Sequence, residues 1–291
     1  MASTQEQKKS SPKKRSKSRS RSKKNRFLVP GLILGAAVCL ALGMMLGMGV
    51  AFRIDDPLVI TQPPETQQTL PPNPYSPSDF SYNELGLLTC SDPDVRMGID
   101  VSDHQGWIDW QQVAQAGVEF AFIRIGYRGY SEGGIFQDEY AHYNLTAARD
   151  AGIEIGVYFY SQAVNEEEAA EEAAWCLELL EDYEIDLPVV FDWEYVSAEA
   201  RTGSMDPETL TRCAQIFCNT VISRGYQAMV YFNPHLAQDY YHLLHLQHYP
   251  FWLAMYTSEM DYPHRVDYWQ YTDQGTLPGI DTPVDINLKL S

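Results

Sequence analysis

From residue 97 to residue 288, short apolar runs rich in Val, Ile, Phe and Tyr alternate with stretches of helical periodicity, and this alternation leaves few folds open. A strand–helix repeat builds a parallel sheet or a barrel, because each helix returns the chain to the same end of the sheet. Strands are predicted at 97–101, 120–127, 153–160, 187–194, 228–233, 251–256 and 268–272, with an eighth candidate at 284–288. Helices are predicted at 107–116, 138–151, 165–183 and 206–224. Asn165 followed by three glutamates, and Asp206 followed by Pro207, mark two helix starts, where side-chain acceptors and negative charge satisfy free N–H groups. The last third carries no long helical pattern. An irregular TIM-like (β/α) barrel, with short elements in its second half, therefore fits better than eight regular repeats.

Charge is segregated along the chain. Of 21 Lys and Arg, 11 fall between Lys8 and Arg26, while of 39 Asp and Glu only Glu6 precedes Arg53. From Arg53 onward 10 basic residues face 38 acidic ones, a balance that repels phosphate and excludes nucleic acid as a partner. Residues 27–52 contain no charge, and at about 1.5 Å per residue they span roughly 39 Å, enough to cross a bilayer core. With the Lys/Arg excess wholly before it, this transmembrane helix reads as a type II signal anchor. The basic tail 1–26 is then cytoplasmic and lipid-facing, and the remainder lies outside the cell membrane. A cleaved signal peptide is the competing reading, but its apolar region is normally only about 7 to 15 residues.

Residues 53–93 include seven prolines between Pro57 and Pro77 among polar residues, and read as an extracytoplasmic, disordered linker. The folded domain is then 94–291. Cys39 falls within the span; Cys90, Cys176, Cys213 and Cys218 follow it. Cys213 and Cys218, five apart on one helix, do not share a face, so reduced and buried thiols are expected. Oligomeric state is left open.

In a βα barrel the active site gathers at the C-terminal ends of the strands, and three apolar runs here end in acid. They are Gly98-Ile99-Asp100, Phe191-Asp192-Trp193-Glu194 and Val284-Asp285-Ile286-Asn287. Strand residues two apart share a face, so Asp192 and Glu194 meet while Trp193 points away. Like charges beside an apolar strand raise at least one pKa and keep a proton available near neutral pH, as glycosidic cleavage requires. Acids that merely cap loops or pair with bases are the plain alternative. Two on one face of an apolar strand are too costly for that. Tyr127, Tyr158, Tyr160, Tyr231, Tyr256 and Trp269, with Gln270, also stand at or near strand ends and are expected to bind a sugar chain.

Taken in order, these motifs resemble the glycoside hydrolase family 25 muramidases, the Chalaropsis-type lysozymes, over residues 97–288. The resemblance rests on Gly98-Ile99-Asp100-Val101-Ser102, Gln105-Gly106, Ile108-Asp109-Trp110, Phe120-Ala121-Phe122-Ile123-Arg124, Phe191-Asp192-Trp193-Glu194, Trp269-Gln270-Tyr271 and Val284-Asp285-Ile286-Asn287. It implies hydrolysis of the β-1,4 bond between N-acetylmuramic acid and N-acetylglucosamine in peptidoglycan, with no metal or cofactor. It also implies Glu194 as general acid and Asp192 as the partner of the substrate N-acetyl group. Asp100 and Asp285 become the remaining cleft acids. The chain departs from the family after its second strand, where Gly126-Tyr127-Arg128-Gly129-Tyr130 replaces a Thr-Glu-Gly-like loop. A catalytically inactive module that binds wall glycan is the alternative function. A metal site at His242, His245 and His248 lacks an accompanying acid motif, and no G-x-S-x-G elbow points to serine chemistry.

Overall fold

The computed structural model describes residues 69–290. The tail expected over 1–26, the membrane span expected over 27–52 and the first part of the linker lie outside the described residues. Among the described residues no helix is long and apolar enough to cross a membrane.

A short hairpin, β1 (Phe80–Tyr82) and β2 (Leu88–Cys90), comes first. There follow β3 (Arg96–Val101), β4 (Phe120–Arg128), β5 (Ile135–Gln137), β6 (Glu154–Ser161) and β7 (Val189–Trp193). The last strands are β8 (Ala228–Phe232), β9 (Phe251–Ala254), β10 (Tyr268–Gly275) and β11 (Val284–Lys289). Between them lie α1 (Trp110–Gln115), α2 (Ala141–Asp150), α3 (Glu166–Leu179), α4 (Pro207–Ser223) and α5 (Pro234–Asp239). Neighbouring strands from β3 through β4, β6, β7, β8 and β9 to β10 are parallel, and β11 runs antiparallel to both β10 and β3. That reversed strand closes the barrel, while β5 adds an antiparallel edge to β4. All eight expected strands and all four expected helices are present; β1, β2, β5 and α5 are too short to leave a periodic signal.

Local chemistry explains the starts. Asn165 and Asp206 accept hydrogen bonds from the backbone N–H groups of Glu168 and Thr209, as N-caps do. Strand alternation sends one set of side chains outward to the helices, among them Ile123, Phe159, Phe191 and Phe232. The other set fills the barrel with Phe120, Phe122, Val190, Met229, Trp252 and Tyr268. Glycine makes room for the interior rings: a Cβ at Gly98 would stand 2.4 Å from the Phe120 ring, and one at Gly156 2.3 Å from Phe122. A register shift between Arg124 and Gly126 adds a bulge to β4. Tyr127 is thereby paired with Tyr160 and brought to the inner side of the barrel mouth.

The linker reading fails from residue 69 onward. Pro72 bridges to His264, the Asn73 side chain donates to the Tyr262 carbonyl at 3.0 Å, and the Tyr75 hydroxyl donates to the Leu290 carbonyl at 2.8 Å. Phe80 sets its ring edge-on to Trp269 at 5.2 Å, and Leu88 is 1 % exposed. Prolines here hold an extended strap against the end of the barrel remote from its mouth, and the apolar side chains between them anchor it. Cys176, Cys213 and Cys218 are buried free thiols as expected, whereas Cys90, on the strap, is only half-buried.

Candidate active site

Inward positions at the strand ends converge on one cavity of about 220 Å³, into which Asp100, Asp192, Glu194 and Asp285 all project. Asp100, the last residue but one of β3, pairs across the ladder with Asp285, the second residue of the reversed β11; Asp192 lies beside Tyr160. Tyr158, Tyr160, Tyr231, Tyr256 and Gln270 line the same cavity, so sequence reading placed nine residues at one spot that the fold does bring together.

Each acid has its own surroundings. The Asp100 carboxylate accepts from the Gln270 and Asn287 side-chain amides, both at 2.7 Å. Asn287 is in turn fixed by the Trp252 indole at 2.8 Å, and Gln270 by the Tyr256 hydroxyl at 3.1 Å. Burial pushes the Asp100 pKa up to about 6 against the pull of those two amides. Asp285 rises to about 8, from burial first and then from the charges of Asp100 and Asp273. Burial also raises Glu194, with a hydrogen bond from Tyr231 opposing it.

Asp192 is raised well above the carboxylate range by burial, then by the charges of Glu194 and Asp100. Its Oδ1 is buried, and no donor among the described residues reaches it. Four carboxyl groups facing one small space cannot all ionise, so the cluster keeps protons near neutral pH beside an acceptor that lacks a donor. Arg124 supplies the nearby positive charge that draws Asp192 the other way. Its buried guanidinium is held by Asp138 at 2.8 Å and Asp103 at 2.6 Å.

Glu194 follows the last residue of β7, and its backbone is tied down by a residue that sequence reasoning missed. Gln162, fully buried, donates to the Glu194 carbonyl at 2.8 Å and accepts from the Thr202 hydroxyl at 2.8 Å. Arg201 donates to the Gln162 carbonyl at 2.5 Å and grips Glu168 with two bonds at 2.6 and 2.7 Å. A polar residue ending the apolar β6 run was the available signal, the same one that marked Asp192.

Residues 99–280 match the model of the family "Glycosyl hydrolases family 25". The chain belongs to glycosyl hydrolase family 25. Among relatives of this family 25 member is the uncharacterized protein YegX of Escherichia coli K12, 31% identical over 209 residues, 66% of this chain and 68% of that one. The autolytic lysozyme of Clostridium acetobutylicum is 25% identical over 191 residues, 65% of this chain and 54% of that one. Among solved structures, the modular autolysin LytC of Streptococcus pneumoniae superimposes with a TM-score of 0.61 at 27% identity, covering 72% of this chain. The family 25 chain described here spans about half of LytC, 49% of its length.

Two expected binding residues sit elsewhere in this family 25 domain. Trp269 is fully buried on the outer face of β10, donating to the Met255 carbonyl at 2.8 Å beneath the Phe80 ring. Since its neighbour Gln270 points inward, strand alternation denies Trp269 the cleft, and its role is packing. Tyr127 lines a second cavity adjoining the first. Among the described residues, no group of three or more His, Cys, Asp or Glu is arranged to hold a metal ion.

Proposed function

We propose that this family 25 glycosidase cleaves the β-1,4 bond between N-acetylmuramic acid and N-acetylglucosamine in peptidoglycan, with Glu194 as general acid and Asp192 assisting the substrate N-acetyl group. The observation that carries this reading is the buried Asp192 oxygen without a donor beside a second raised carboxyl. An acetamido N–H supplies the missing hydrogen bond, and in doing so turns the amide oxygen toward the anomeric carbon. The amide oxygen bonds to that carbon as its bond to the bridging oxygen breaks, and Glu194 gives the departing oxygen its proton. Glu194, now a carboxylate, takes a proton from water, which adds to the anomeric carbon and restores the amide with retained configuration. Asp100, held by two amides, and Asp285 shape the field around the developing positive charge and bind the sugar.

Similarity to an autolytic lysozyme and to an autolysin whose structure holds a synthetic peptidoglycan ligand supports the substrate class. We infer that residues 27–52 anchor the chain with 1–26 inside and the hydrolase outside. Alkaline carbonate should then leave the full chain in the membrane pellet and release one lacking 27–52; release of both overturns the anchor.

The decisive assay incubates the purified full chain with peptidoglycan, reduces the products and weighs them. N-acetylmuramitol ends are expected; N-acetylglucosaminitol ends would assign the other bond. Glu194→Gln should lower turnover on the order of 10²–10⁴-fold while wall binding persists. A wild type no faster than that variant would leave only a glycan-binding module.

A further inference from the structure

Helix α3 lies outside the barrel, yet three of its glutamates reach toward the strand ends that carry the site. Glu168, Glu171 and Glu172 stand at positions i, i+3 and i+4, so one face of the helix presents all three. Facing them are two arginines, Arg128 at the end of β4 and Arg201 in the loop after β7. Glu168 grips Arg201, and Glu171 reaches Arg128 from the exposed rim. Glu172 differs from both in being fully buried.

Its two oxygens tie two strands together. Oε1 accepts from Arg128 Nε at 2.7 Å, and Oε2 accepts from the Ser161 hydroxyl at 2.6 Å. Ser161 ends β6 and stands in register with Trp193, the residue between Asp192 and Glu194. The Ser161 hydroxyl also accepts from the Ala163 N–H at 3.2 Å, and the Ser161 carbonyl accepts from the Gln162 side-chain amide at 2.9 Å. The same amide donates to the Glu194 carbonyl, so a chain of hydrogen bonds runs from Glu172 through Ser161 and Gln162 to the backbone of the acid.

Adhesion alone does not call for a carboxyl group here. Burial raises the Glu172 pKa to about 7 against the pull of Ser161 and Arg128, so its charge is kept at a cost. Packed apolar side chains often match or better a buried ion pair in stability, and would hold α3 to the sheet as well. They would not fix the ends of β4 and β6 relative to each other, as two directed bonds from one rigid carboxylate do.

We propose that Glu172 is a positioning residue for the general acid: from outside the barrel it locks the ends of β4 and β6, and through Ser161 and Gln162 it sets where Glu194 stands. The proposal rests on Glu194 being that acid, since a proton donor works only within hydrogen-bond reach of the departing oxygen.

The test gives the purified full chain two substrates that differ in their need for a proton. One is a peptide-free tetrasaccharide of alternating N-acetylglucosamine and N-acetylmuramic acid, whose leaving alkoxide must be protonated. The other is the corresponding disaccharide β-dinitrophenyl glycoside, whose phenolate leaves without help. Comparing kcat/KM confines the measurement to the step in which the leaving group departs. Glu172→Leu should lower it on the order of 10–100-fold for the tetrasaccharide and by no more than about twofold for the dinitrophenyl glycoside. Glu172→Gln, which keeps the shape and one acceptor, should recover most of the loss. A general disturbance of the fold lowers both substrates alike; that result, or an unaffected tetrasaccharide, overturns the proposal. Should Glu172→Leu fail to fold, Ser161→Ala cuts the same chain of bonds at its next member and is held to the same two outcomes. Glu194→Gln is the reference: if it lacks this selective loss, the general-acid reading itself fails and takes the proposal with it.

Discussion

At the scale of single residues, the catalytic pair was legible because a strand has a period of two. Asp192 and Glu194 share a face whatever the rest of the fold does, and Trp193 must point away. The same rule, applied to Gln270, already excluded Trp269 from the cleft; the aromatic composition of the motif obscured it. Tyr127 was different, since its inward position depends on a bulge, and a one-residue irregularity leaves no mark in the pattern. A pH prediction follows from Asp285. Its folded pKa is raised to about 8, so its protonated form is the one the fold favours. Its contribution to stability is fully present below the usual carboxylate range and is lost as pH rises through about 8. Asp285→Asn should therefore raise Tm at pH 8.5 and leave it unchanged at pH 4, roughly the unperturbed value. An equal shift at both pH values would show that the charge is not the cause. Because the Asp285 charge also raises Asp192, which must be ionised to accept the substrate N–H, the acidic limb of activity in this variant should move to lower pH.

At the scale of elements, what counts is how the end of β7 is tied to its neighbours. Gln162 bonds β6 to the Glu194 carbonyl and to the loop carrying Arg201 and Thr202, so two elements set where the acid stands. Gln162→Leu keeps the volume and removes the bonds. It should lower kcat on the order of 10–100-fold with little change in KM, and shift the pH profile, because a misplaced acid loses both geometry and environment. Leaving the Glu194 carbonyl without its donor should also destabilise the fold by about 1–3 kcal/mol. A parallel rise in KM, with the pH profile unmoved, would reduce Gln162 to packing. The barrel strands could be read because each is a buried run flanked by breakers; the direction of β11 could not, since antiparallel closure depends on partners far apart in sequence.

At the scale of the whole molecule, the proline-rich strap is where composition misled most. Its prolines fit an edge that needs few backbone donors, and its sparse apolar residues find partners only on the finished barrel. Compared with a chain beginning at residue 69, one beginning at 94 should lose about 3 kcal/mol or more, because Phe80, Leu87 and Leu88 leave their burial sites. Equal denaturation midpoints for the two would make the strap dispensable. Residue 69 joins the barrel on the side of Leu290 and His264, while the carboxyl cluster opens on the other. The strap therefore covers only the closed base, and a polymer many times the protein's own length can slide across the opposite orifice without first displacing it.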